Sequence, residues 1–241
     1  MQTTSLLASE TTIAVIGAGR LGSVLARALR AAGFQVLGPL RRDQSMPKAD
    51  IALLCVPDAA IPAVAFVSRP HVPLVGHVSG ATSLDDVDFS LHPLQTFTGS
   101  ETPDVLHGIG AAIAGRTPEA LETAEQLARA LGILPFTVGD EHRASYHTAA
   151  SFASNFVLTV LDAAEQLART AGVDRSRLVP LVRQTIDNWE ADGAAAALTG
   201  PIARGDEATV ARQRAASGEY ADLFDALAAA TRTLAEKREP E

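Results

Sequence analysis

Gly17, Gly19 and Gly22, spaced as G-x-G-x-x-G, follow directly on the apolar run Ile13-Ala14-Val15-Ile16. Each glycine answers a different need. Gly17 permits a tight turn, Gly19 lets a ligand approach backbone that carries no Cβ, and Gly22 lets a helix pack closely on the preceding strand. Free N–H groups at the start of that helix, at the positive end of its dipole, bind phosphate. The segment Gly17-Ala18-Gly19-Arg20-Leu21-Gly22 therefore reads as a dinucleotide-binding turn, in a strand–turn–helix context that a stray glycine-rich loop lacks. A second strand is expected over Phe34–Leu37, and the residues after it select the dinucleotide. An acid there would accept from the ribose hydroxyls, but this chain has Gly38-Pro39-Leu40-Arg41-Arg42. Arg41 and Arg42 can hold a 2′-phosphate by forked, charge-assisted hydrogen bonds, the alternative being a solvated surface pair; NADP is expected over NAD.

A second set of residues lies further along. His147, Ser151 and Asn155 are spaced four and four apart, among Ala149, Ala150, Phe152, Ala153, Phe156 and Val157. On a helix they form one polar stripe, and burying such groups without partners is costly. The stripe serves either hydrogen bonds between helices or chemistry in a partly wetted site. A histidine there can move a proton near neutral pH. Three more candidates stand at element ends. Ser79 follows a strand and can bind the nicotinamide amide or the substrate, or cap a turn. His92 precedes Pro93. Arg204 can clamp a carboxylate, while Asp206 is expected to cap the next helix. Val56 and Pro57 close the strand Ile51–Val56 at the edge where ligands bind, since Pro57 cannot continue a central strand. His71, His107 and His142 carry no motif and are expected at the surface. The single cysteine, Cys55, is expected to be a small buried hydrophobe, and no His, Asp or Glu pair has metal-ligand spacing.

These residues need elements to position them. The first half alternates short apolar runs with helical patterns, the mark of a parallel, doubly wound sheet. Further strands are expected at Pro73–Val78, Phe89–Leu91, Gly110–Ala114 and Ile133–Val138. Helices are expected at Ser23–Ala32, Ala60–Ser68 and from Thr117-Pro118-Glu119 to about Leu131. From Asp140 onward only helical periodicity is visible, over Glu141–Ala171, Arg177–Glu190, Asp206–Ser217 and Tyr220–Lys237. This places one domain at 1–139 and a second, all-helical one at 140–241. The chain of 241 residues carries a net charge of −8, with 47% hydrophobic and 20% charged residues. That composition excludes wholesale disorder and a general affinity for nucleic acid or anionic membrane. Met1–Glu10 lacks the basic region and apolar core of a secretory signal, so a cytoplasmic protein is expected. Lys237–Glu241 is expected to fray.

The order of domains and the polar stripe resemble the 6-phosphogluconate dehydrogenase-like reductases, a superfamily that includes ketopantoate reductase, β-hydroxyacid dehydrogenases, pyrroline-5-carboxylate reductase and prephenate dehydrogenase. More closely, His77-Val78-Ser79-Gly80-Ala81, His92-Pro93-Leu94-Gln95-Thr96-Phe97 and Leu198–Asp206 resemble Rossmann-like bacterial proteins whose C-terminal domain is one of unknown function. The resemblance implies a Rossmann domain followed by a helical domain like the C-terminal one of 6-phosphogluconate dehydrogenase. It implies an NADP-dependent oxidoreductase acting on a small carbonyl, imine or hydroxy acid in the interdomain cleft. His147 falls where ketopantoate reductase and the β-hydroxyacid dehydrogenases place a lysine proton donor, with Ser151 and Asn155 in the polar positions after it. His92-Pro93 resembles the His-Pro pair of prephenate dehydrogenases. The absent lysine leaves open a non-catalytic NADP-binding redox sensor, and among enzymes a ketopantoate-type reductase is the second choice. The resemblance also implies a homodimer burying segments such as Ala191–Leu198 and Leu227–Leu234, with Trp189 and Tyr220 packing the helical domain or that interface.

Overall fold

A computed structural model describes Leu7 and residues 10–237; the expected fraying tail beyond Lys237 and most of the N-terminal decapeptide lie outside these residues. Seven strands form one sheet in the order β2-β1-β3-β4-β5-β6-β7: β1 Thr12–Ile16, β2 Gln35–Leu40, β3 Ile51–Leu54, β4 Leu74–His77, β5 Phe89–Pro93, β6 Gly110–Gly115 and β7 Leu134–Thr137. The first five are mutually parallel; β6 runs antiparallel to β5, and β7 parallel to β6. The chain therefore leaves β1 to one side for β2 and returns to its other side for β3. That reversal is the switch point beside which open α/β sheets bind ligands.

Strand β3 shows why the sheet sits where it does. Ile51 and Leu53 face one apolar cluster with Ile13, Leu25, Leu29, Phe89, Leu91 and Leu127. Ala52 and Leu54 face the other, with Ile61, Ala65, Val72, Val75 and Val87. A strand apolar on both faces reads as a continuous hydrophobic run, as its sequence does. Helices α1 Arg20–Ala31 and α3 Pro118–Ala130 cover the first cluster, and α2 Ile61–Ser68 covers the second. Thr117 caps α3 by accepting from the Ala120 N–H, with Pro118 at the first helical position, as its sequence predicts.

β2 does not stop at Leu37 as expected but runs through Gly38-Pro39 to Leu40. The physical reason is its place at the sheet edge, where a missing N–H costs no ladder bond. Arg41 is thereby the first residue beyond the strand.

After Thr137 no further strand occurs among the described residues. The helices are α4 Arg143–Ser151, α5 Val157–Thr170, α6 Arg175–Ala197, α7 Glu207–Ala216 and α8 Ala221–Ala235. Between α4 and α5 the segment Phe152–Phe156 is π-helical, so the expected unbroken helix Glu141–Ala171 carries a wide turn in its middle. α6 outruns its expected end at Glu190 and breaks at Gly193. The chain divides into two compact units, Met1–Ser154 and Asn155–Glu241. The last strand ends at Thr137, and 140–154 pack with the sheet unit, whereas the sequence places the boundary near Gly139. Arg143 explains why: it is 3% exposed and its guanidinium bonds Ser90 Oγ of β5 at 2.8 Å and pairs with Asp140.

In the second unit, Arg214–Asp225 at 3.0 Å and Arg232–Glu207 at 2.8 Å tie α7 to α8. Both pairs are exposed, so water and salt screen them and their contribution is small. No helix among the described residues is long and apolar enough to cross a membrane.

Candidate functional site

Because β1, β3, β4 and β5 are parallel, their carboxyl ends share one edge of the sheet. The turn Gly17–Gly22, Cys55–Pro57, Ser79-Gly80 and His92-Pro93 all lie along it.

At the glycine-rich turn, the structure separates what the protein fills from what it leaves open. Gly17 has φ +111° and donates to the Leu40 carbonyl at 2.9 Å. A Cβ there would lie inside contact distance of the Cys55 carbonyl, and one at Gly22 would strike the Gly17 carbonyl. A Cβ at Gly19 would meet nothing within 4 Å. Helix α1 begins at this glycine with no side-chain cap and no acid in its first turn. Its first residue is instead the exposed Arg20, a cation at the positive end of the dipole, which is unfavourable until an anion arrives. Leu21 packs its side chain on the core, so its backbone is what it offers a ligand. Cys55 lies beneath the turn, its thiol pushed up to about 12 by burial, which keeps it protonated. Val56 is partly buried and Pro57 exposed beside it. Arg41 and Arg42 are exposed and make no ion pair among the described residues; the Arg41 backbone N–H is bonded to Gln44 Oε1 at 2.7 Å.

Further along the edge, the loop after β4 is built on a histidine. His77 is fully buried. Its Nδ1 accepts from the Ser79 N–H at 3.2 Å, and its Nε2 lies 3.1 Å from the Ser83 carbonyl. This requires the neutral ring with its proton on Nε2, and burial, first of all, lowers the His77 pKa. Ser79 Oγ accepts from the Ala81 and Thr82 N–H groups at 3.1 and 3.0 Å and bonds Thr82 Oγ1 at 2.9 Å. Its hydroxyl thus caps the turn, the second of the two roles expected for it.

This turn sets Gly80 between two more histidines. A Cβ on Gly80 would stand 2.8 Å from His92 Cε1 and 2.9 Å from His147 Cδ2. The two rings meet edge-on with centroids 6.1 Å apart. His92 Nδ1 is 2.8 Å from the Tyr146 hydroxyl, whose ring in turn stands edge-on to Phe136. Burial, then the nearby His147, push the His92 pKa down to about 4, so the ring is neutral at physiological pH. Burial pushes the Tyr146 hydroxyl up to about 12. His147 is exposed, and its ring makes no hydrogen bond among the described residues.

Ser151 lies one turn beyond His147 on α4, but its hydroxyl donates back to the His147 carbonyl at 3.2 Å. Asn155 lies in the π-helical segment and belongs to the second unit. Arg204 is exposed in the turn before α7, and Asp206 caps that helix by accepting from the Thr209 N–H at 3.0 Å, as expected. His107 and His142 are exposed and His71 is partly buried. Among the described residues no group of three His, Cys, Asp or Glu stands where it could hold a metal. Sequence reasoning missed Tyr146, His77 and Gly80 as working residues. Tyr146 is signalled only by its place next to His147, whereas the other two lie in the motif His77–Ala81.

A mostly parallel, doubly wound sheet with an open glycine-rich turn at its switch point, followed by a helical unit, defines a Rossmann protein with an added helical region. The chain belongs to the family described as a domain of unknown function, DUF2520, which it matches over residues 109–231. No curated protein matches it. Among solved structures, it is similar to a Bacteroides fragilis protein provisionally named an NADP oxidoreductase, at 22% identity over 93% of this chain and 99% of that one, TM-score 0.81. A Thermotoga maritima protein matches at 22% identity over 93% of this chain and 100% of that one, TM-score 0.78. Pyrroline carboxylate reductase of Plasmodium falciparum, with NADP bound, matches at 11% identity over 94% and 99%, TM-score 0.59. At these identities the likeness establishes the fold.

Proposed function

We propose that the protein is an NADP-dependent oxidoreductase that moves hydride between the nicotinamide and a small carbonyl, imine or hydroxy-acid carbon. The observation that carries this reading is the open space over Gly19 at an uncapped helix N-terminus, beside the sheet's switch point. Backbone N–H groups of the turn would hold the pyrophosphate, and Arg41 and Arg42, whose side chains make no ion pair among the described residues, the 2′-phosphate. Bound there, the dinucleotide supplies the hydride chemistry. Two structures of similar fold carry NADP in their names. His147 donates or takes the proton at the substrate heteroatom; Ser151, His92 and the Ser79 turn shape the site around it.

Titration with NADPH and NADH, followed by nicotinamide fluorescence, tests the reading. NADPH is expected to bind at least about tenfold more tightly, about 1.4 kcal/mol. The double substitution of Arg41 and Arg42 by alanine is expected to erase that difference and leave NADH binding unchanged. Equal binding of both dinucleotides by the unaltered protein removes the case for NADP, and binding of neither removes the reading.

A homodimer through the helical unit is part of the proposal. The buried apolar residues described there are Ala163, Val210 and Ala228, while Leu158, Leu181, Ile186 and Trp189 stay exposed. So few buried groups do not offset the ordering entropy of such a unit, which favours a further surface to cover it. Light scattering at micromolar concentration is expected to give twice the chain mass; a monomer overturns this part.

A further inference from the structure

His92 and His147 face the same glycine, yet their surroundings differ in kind. The Tyr146 hydroxyl has one side-chain partner among the described residues, His92 Nδ1. That nitrogen is the acceptor the phenol O–H has there, so the phenol directs its proton to Nδ1. A neutral imidazole carries a single proton, which must then sit on Nε2. The edge-on contact of the two rings, at 89° and 5.6 Å, and the packing of Tyr146 on Phe136 hold that arrangement. His92 Nε2 has no hydrogen-bond partner among the described residues, and neither does the His147 ring. The charged or titratable groups acting on His92 are His147, Asp58, Arg143 and His77.

We propose that the two histidines divide the work of the oxidoreductase reaction. Tyr146 is a positioning residue that fixes His92 as a neutral Nε2–H donor to the substrate oxygen, and His147 alone exchanges the proton. In the reducing direction the carbonyl carbon gains the hydride from the reduced nicotinamide, and the C=O π pair moves to oxygen. The oxygen then takes a proton from the His147 imidazolium, leaving neutral imidazole. His92 keeps its proton throughout and polarises the carbonyl. This division rests on the oxidoreductase reading, but its first test does not.

The test is 15N NMR of the full-length protein labelled at histidine, read across about pH 4–8, which reports the tautomer of each ring without substrate. His92 is expected to show the Nε2–H tautomer alone and to titrate near a pKa of about 4. In Tyr146→Phe, which keeps the ring on Phe136, the two neutral tautomers are expected to mix. Its kcat should fall about tenfold with the KM for NADPH and the pH profile unchanged. A proton on Nδ1 in the unaltered protein, or a tautomer indifferent to Tyr146→Phe, overturns the positioning role even if turnover is found. A fixed tautomer in a protein that reduces no carbonyl or imine with either dinucleotide overturns the reaction reading, and the substrate role with it. Should the variant not fold, the tautomer of the unaltered protein decides.

Discussion

Replacing His147 by alanine is expected to lower turnover about a hundredfold or more while leaving NADPH affinity unchanged. The His147 ring is exposed and has no hydrogen-bond partner within the protein among the described residues. Both its nitrogens are therefore available to a ligand, whereas His92 spends one on Tyr146. Without the imidazole, the oxygen that receives negative charge during hydride transfer has water as its only proton source. The glycine-rich turn, Arg41 and Arg42 are untouched by the change, so binding and chemistry should separate. Steady-state kinetics and a fluorescence titration on the same preparation check this. An unchanged kcat removes His147 from the reaction, and absence of turnover before any substitution favours the redox-sensor alternative.

The second large effect comes from comparing two alanines in one turn. Gly19→Ala is expected to fold with an unchanged Tm yet to lose dinucleotide affinity at least about tenfold. The new Cβ has room, and the backbone at φ −75° suits any residue; only a ligand lying close to that backbone would feel it. Gly17→Ala is expected to lose both binding and stability. Its φ of +111° is costly for alanine, and its Cβ would press on the Cys55 carbonyl. A penalty of about 3–5 kcal/mol, at about 2–4 °C per kcal/mol for a chain of this size, lowers Tm by roughly 10 °C. Thermal melts and NADPH titrations of both variants are the check. If Gly19→Ala binds as tightly as the parent, no pyrophosphate lies against that backbone.

How far the sequence spoke depends on the range of the interaction. The strand–turn–helix at Ile13–Gly22, the cap at Thr117 and the cap at Asp206 are written in neighbouring residues; both caps stand as read, and the helix after the turn starts at Arg20, before the expected Ser23. That β2 runs on through Pro39 to Leu40 depends on its lying at an edge, a property of the whole sheet. The π-helical turn at Phe152–Phe156 has no residue signature of its own, so the sequence predicts an unbroken helix over Glu141–Ala171. Tyr146 escaped notice because its partner is 54 residues away and only the packing of α4 beside β5 brings them together. The same packing, through Arg143 and Ser90, gives 140–154 to the sheet unit although their periodicity is that of the helices that follow.

The double-faced burial of β3 carries a consequence for how proteins built this way diverge. A strand whose alternate residues serve two cores at once can accept few substitutions, since a change at Leu53 or Leu54 opens a void on one side or the other. The floor of the ligand edge, Cys55 to Pro57, inherits that immobility. Variation in what a descendant recognises is thereby channelled into the loops that rise from β4 and β5, Ser79–Ser83 and Leu94–Glu101, where Phe97 is the side chain that packs on a core.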